Sequence, residues 1–128
     1  VLLLDRAEIL RIAEKWISYY REYELTGKLL AGGDELNELV YSAPKEALEI
    51  VFEILSKINQ QPENSLFQQL AAGPMEMLLV YQGDAIIELV EHEAARSAAF
   101  RLLLGGVWQS TTSENIWQRV LQSRSQAW

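Results

Sequence analysis

The stretch Leu70-Ala71-Ala72-Gly73-Pro74-Met75-Glu76-Met77-Leu78-Leu79 decides how the second half of the chain is read. Glycine accepts the left-handed backbone that closes a helix, and proline loses nothing at a first helical position, whose N–H has no partner in any case. The stretch therefore reads as the end of one helix, a Gly-Pro corner and the start of the next. Glu76 then stands third in the new helix, where its carboxylate can accept the Gly73 N–H. The positive end of the helix dipole favours a negative charge there, so Glu76 reads as a cap and as a poor general acid. On this reading a Gly73→Val change loses stability before it loses any function.

Working outward from the corner, short helical segments punctuated by glycines follow on both sides. One spans about Leu66 to Ala72, and the next spans Pro74 to Tyr81, ended by Gly83. Asp84 caps a third, to about Arg96, and Ser97 a fourth, to about Leu104. Thr111 and Glu114 have the spacing of a capping box, and Ile116, Trp117, Val120 and Leu121 form the inner face of the last helix. Gly105-Gly106 before Trp108 suits close helix packing or a C-cap.

Upstream, Asp5 caps a helix running to about Tyr23, with Ile9, Ile12, Ala13, Trp16, Ile17, Tyr20 and Tyr23 on one face. The aromatic run of Trp16, Tyr19, Tyr20 and Tyr23 reads as core packing rather than a ligand cage. Gly32-Gly33 lacks the surroundings of a phosphate loop. Asp34 caps a short helix whose apolar residues are Leu36, Leu39, Val40 and Tyr41. Pro44 opens a longer helix to about Gln60, whose broad stripe of Ala47, Leu48, Ile50, Val51, Ile54, Leu55 and Ile58 places it centrally. No segment alternates in the manner of a strand. The fold class expected is all-α: six to eight mostly short helices in antiparallel pairs, forming a small α-solenoid or an irregular bundle. Residues 1–128 read as one helical domain, with 59–64 the place where it would divide.

The 128 residues suffice to bury a core without metal or disulfide. Eighteen acidic against eleven basic residues give a net charge of -7, which disfavours nucleic acid and anionic membrane as partners. No apolar run approaches the ~20 residues of a membrane span, and Val1-Leu2-Leu3-Leu4 is too short for a signal segment. The absence of cysteine excludes thiol chemistry and fits a reducing, cytoplasmic setting.

Candidate polar-site residues are Glu76, Glu88, His92, Glu93 and Arg101. His92 is the only histidine. It lies one turn from Glu88 and from Arg96, which reads as a solvated helix face. His92-Glu93 begins a zincin-like pattern, but Arg96 stands where the second histidine belongs. Glu93 projects into the apolar stripe between Ile86 and Leu89, so it must reach an edge, find an arginine or give up its charge. Arg101 on the following helix is the partner expected. Ser110-Thr111-Thr112-Ser113 has no base to complete a hydrolase constellation.

Leu70 to Leu79, Gly83, the Glu91…Ala95 segment, Phe100-Arg101 and Val107-Trp108, with Pro44 and the Ile50/Ile54 helix upstream, resemble an uncharacterised family of small bacterial proteins (a domain of unknown function) with an Ala-Gly-Pro-x-Glu-x-Leu-Leu motif. The resemblance covers about residues 44–120 and departs at Ser97-Ala98-Ala99, where that family shows an acidic residue and a proline. It implies a bacterial, stand-alone, cytoplasmic domain and attaches no activity.

Together these features predict a non-enzymatic protein-interaction module without cofactor or metal. Its partner would be another protein, a basic one above all, or a second copy of itself, and an immunity or antitoxin role fits the acidity and size. The competing reading is a small-molecule or metal-binding protein, or a small hydrolase, using Glu76, Glu88, His92 and Glu93.

Overall fold

A computed structural model describes residues 4–28 and 35–128. The Gly32-Gly33 and Asp34 expectations, like residues 1–3, lie outside the described residues. All regular structure among the described residues is helical: α1 (Arg6–Thr26), α2 (Glu35–Ser42), α3 (Pro44–Lys57), α4 (Ser65–Leu70), α5 (Glu76–Arg96), α6 (Ala98–Leu104) and α7 (Glu114–Ser123), with a π-helical turn (Ala71–Met75) joining α4 to α5. They form an irregular helical bundle.

Local chemistry sets most of the ends. The Asp5 carboxylate accepts the Glu8 N–H at 2.9 Å to start α1, and Gly27, at φ 71°, closes it by donating its N–H to the Tyr23 carbonyl. Asn64 caps α4 and Ser97 caps α6 in the same manner as Asp5. The last helix differs from expectation. Ser113 is its N-cap, accepting from the Ile116 N–H, and Thr111 lies outside it. A serine directly before Glu114 reaches the free N–H groups of the first turn, which a residue two positions earlier cannot.

The Gly73-Pro74 corner does not exist as a corner. Residues 65–96 form one helical run, wound more loosely at Ala71–Met75, where the Glu76 N–H donates to the Ala71 carbonyl five residues back. Proline explains the local loosening: it has no N–H to give the Leu70 carbonyl, and its ring would strike that carbonyl in a tight α-turn. Packing explains why the run continues. The buried residues Phe67, Leu70, Ala71, Pro74, Met75, Leu78 and Leu79 recur in steps of four. In a straight α-helix, at about 100° per residue, three such steps would swing the apolar stripe by about 120°. One wide turn absorbs an extra residue and keeps the stripe facing the core.

Gly73 thus has no left-handed backbone to accommodate, and a Cβ there would meet nothing within 4 Å. The stability loss expected from the corner reading is withdrawn. Gly73→Ala is instead expected to raise stability by about 0.5–1 kcal/mol, because alanine restricts the unfolded chain more than glycine does. Thermal melting checks the sign.

The second expected break, at Gly83-Asp84, is a kink. Gln82 departs from helical geometry (φ −133°, ψ 24°) while the helix resumes beyond it, so Asp84 caps nothing. Gly83 is needed for proximity: its would-be Cβ lies 3.0 Å from Ile116 Cγ2, so α7 packs directly on the α5 backbone there. Further along the pair, Arg119 grips Glu91 with two hydrogen bonds of 2.9 and 2.5 Å.

The Arg119 guanidinium holds the Glu91 carboxyl below the usual carboxylate range, chiefly through those hydrogen bonds. A lowered folded-state pKa contributes stability above the unfolded value of about 4.3, and that contribution is lost as pH falls through the folded value. Glu91→Gln is therefore expected to show a smaller drop in melting temperature than the parent when the pH is taken from 7 to 3.

The core is continuous. Trp16, Leu36, Leu48, Ile54, Phe67, Leu78, Ile86, Phe100, Val107 and Val120 belong to one buried cluster. Leu55 and Ile58 before the 59–64 connection and Leu66 and Phe67 after it belong to that cluster too. α3 is central as expected, packing on α1, α2, α4, α5 and α6. Glu46 is buried in the first turn of α3, where the helix dipole favours a carboxylate. No helix among the described residues is long and apolar enough to cross a membrane.

Candidate functional site

The candidate residues predicted from sequence fall in three separate places. Glu76 sits at the start of α5, half-buried, with both oxygens occupied. Oε1 accepts the Trp108 N–H and Oε2 accepts the Ser110 hydroxyl, each at 3.0 Å. It does not cap Gly73, because no helix begins there. Instead it ties the loop after α6 to α5, beside Ser110, which adopts a left-handed φ of 49°.

Glu88 and His92 are exposed on the second half of α5. Glu93 turns into a cleft but does not meet Arg101. Its Oε1 pairs with Arg96 Nε at 2.8 Å, one turn along the same helix. Arg101 Nη1 donates to the Ala94 carbonyl at 2.7 Å, satisfying an acceptor at the C-terminal end of α5. The expected Glu93–Arg101 pair is thus replaced by two shorter-range solutions.

Glu76 and His92 are sixteen residues apart on one helix, about 24 Å along its axis. The four residues of the metal-binding or hydrolase reading are therefore not brought together. Among the described residues no three His, Cys, Asp or Glu side chains are grouped so as to hold a metal ion.

Among the described residues, polar clefts border α5 at two places. One, of about 390 Å³, lies between α3 and α5 and is lined by Glu49, Phe52, Glu53, Leu89, His92, Glu93 and Arg96. Phe52 packs edge-to-face with Phe100 of the core at 5.2 Å. The other, of about 330 Å³, sits at the kink, where Tyr81, Gln82 and Asp84 face Thr111, Ser113 and Ile116.

The kink cleft adjoins an aromatic pair that the sequence reading missed. Tyr41, assigned to the apolar face of its helix, is 53% exposed, and Tyr81 is 58% exposed. Their rings lie 5.1 Å apart, tilted by 48°. Gln82 Nε2 donates to the Tyr41 carbonyl at 3.1 Å and so fixes the end of α2 against the kink. The signal available in the sequence was the position of Tyr41 in the last turn of a short helix. Its partner, forty residues on, was not legible.

Fold and site define an all-helical bundle that carries exposed aromatic and acidic surface beside a kinked helix. The chain belongs to a family of unknown function (DUF6869), whose model matches residues 30–128. No curated protein and no solved structure matches the chain.

Proposed function

We propose that the chain is a non-enzymatic protein-interaction module that docks a basic protein on the Tyr41–Tyr81 face. The observation that carries this is the exposed, mutually packed tyrosine pair held in place by Gln82. Rigid aromatic side chains that remain exposed are the residues that most often anchor protein interfaces. Glu38, one turn before Tyr41, and Asp84, in the same cleft as Tyr81, are exposed and engage no other side chain among the described residues. Carboxylates around such an anchor select a partner rich in lysine and arginine and speed its approach. Neutralisation of a basic toxin, in the manner of an immunity or antitoxin protein, is the version that the net charge of -7 supports.

A bacterial cytoplasmic setting, suited to a chain without cysteine, belongs to the same proposal, as does the reading of residues 1–128 as one domain. The test is co-purification from the native host, comparing the parent with a Tyr41→Ser/Tyr81→Ser double variant of unchanged melting temperature. A basic partner is expected with the parent and not with the variant. Equal recovery by both, or no reproducible partner, would overturn the proposal.

A further inference from the structure

The α3–α5 cleft has a chemistry separate from the tyrosine face. Three carboxylates border it against a single guanidinium, with Phe52 and Leu89 as apolar walls. Two of the carboxylates already have cationic partners. Glu53 meets Arg6 at 2.5 Å and Glu93 meets Arg96 at 2.8 Å. Glu49 is half-buried and makes no side-chain hydrogen bond or ion pair among the described residues. A carboxylate in that state has both oxygens open to a cationic donor.

We propose that this cleft binds the side chain of an arginine presented by a partner protein, with Glu49 receiving the guanidinium and Phe52 packing against it. Arginine fits better than lysine for two reasons. Its planar fork can address both oxygens of one carboxylate, and it stacks on an aromatic ring while doing so. Its aliphatic stem matches the exposed edge of Leu89, which is 41% accessible. Glu53 and Glu93 are balanced by Arg6 and Arg96, so the net negative charge at the rim is that of Glu49, and it disfavours an anionic ligand. A free amino acid is disfavoured for the same reason, since its own carboxylate would face that rim.

None of the residues of the tyrosine face takes part, so this inference and the proposed function fail separately. The test is an NMR titration of the full chain with N-acetyl-arginine amide, using the citrulline analogue as an uncharged isostere and free arginine as the metabolite control. Saturable shifts of the Glu49, Phe52, Leu89 and His92 amides are expected. They should weaken with added salt and be weaker by roughly tenfold in Glu49→Gln, which removes the charge-assisted hydrogen bonds. Because the Glu49 carboxylate has no hydrogen bond or ion pair among the described residues to lose, that variant should melt like the parent. The Tyr41→Ser/Tyr81→Ser variant should bind the probe as the parent does. Absence of saturable shifts, equal binding by Glu49→Gln or by the citrulline analogue, or tighter binding of free arginine would each overturn the assignment.

Discussion

Gly106→Ala is expected to lower the stability of the bundle by about 2–4 kcal/mol, by expelling the segment that ends in Trp128. A Cβ on Gly106 would lie 2.2 Å from Trp128 Cζ2, and one on Gly105 would lie 2.4 Å from the Gln126 carbonyl oxygen. The indole cannot simply swing aside. It stacks on Phe67 at 5.4 Å, its Nε1–H donates to the Leu102 carbonyl at 2.7 Å, and the Trp128 backbone N–H donates to the Gly105 carbonyl at 3.1 Å. The segment also answers the Arg101 carbonyl through the Ser125 N–H. These are carbonyls at the end of α6, which need donors wherever water is excluded. Trp128→Ala should cost a similar amount, and the double variant little more than either single change. Such non-additivity is the signature of two residues acting through one contact. Additive losses by thermal or denaturant unfolding would show that the glycine matters for another reason.

Glu76→Ala is expected to cost about 1–3 kcal/mol, since one carboxylate accepts from both the Trp108 N–H and the Ser110 hydroxyl. It also helps hold Ser110 in a backbone region that non-glycine residues rarely adopt. Glu76→Gln keeps one acceptor oxygen and should fall between parent and alanine variant. Faster hydrogen exchange at the Trp108 amide should accompany the loss, while binding of N-acetyl-arginine amide at the α3–α5 cleft stays unchanged. Unaltered melting in Glu76→Ala would contradict the latch role and make Glu76 a ligand-binding candidate again.

The candidate site was legible only in outline. Polar residues on the second half of α5 could be named, because helical phase separates His92 and Glu88 from Ile86, Val90 and Ala94. The partner of Glu93 could not be: the sequence points to Arg101 on the following helix, and Arg96, one turn along the same helix, answers instead. Arg101 goes to the Ala94 carbonyl because an unpaired acceptor at a helix end competes with a carboxylate that already has a closer partner. Nothing local tells Glu49 apart from Glu53, one turn further along the same helix. Only the arrangement of α1 against α3 gives Glu53 its Arg6 and leaves Glu49 without one.

The sequence by itself determined the all-helical class, the central place of α3, the buried face of α1 from Ile9 to Ile17 (Tyr23, expected on that face, is exposed), and the caps at Asp5 and Ser97. All of these rest on interactions within about one turn of helix, where spacing and residue type suffice. Tertiary structure decided the rest. It made Ala71–Met75 a wide turn within a continuous run, because the stripe on both sides had to face one core. It used Gly83 to admit Ile116 and Gly105-Gly106 to admit Trp128, and it turned Glu76 from a cap into a latch for a loop some thirty residues away. A proline after a glycine can end a helix or loosen it, and the local energies of the two outcomes are close. Burial of Phe67, Leu70, Met75 and Leu78 on one side outweighs that small difference, and the burial is known only once the neighbouring helices are in place.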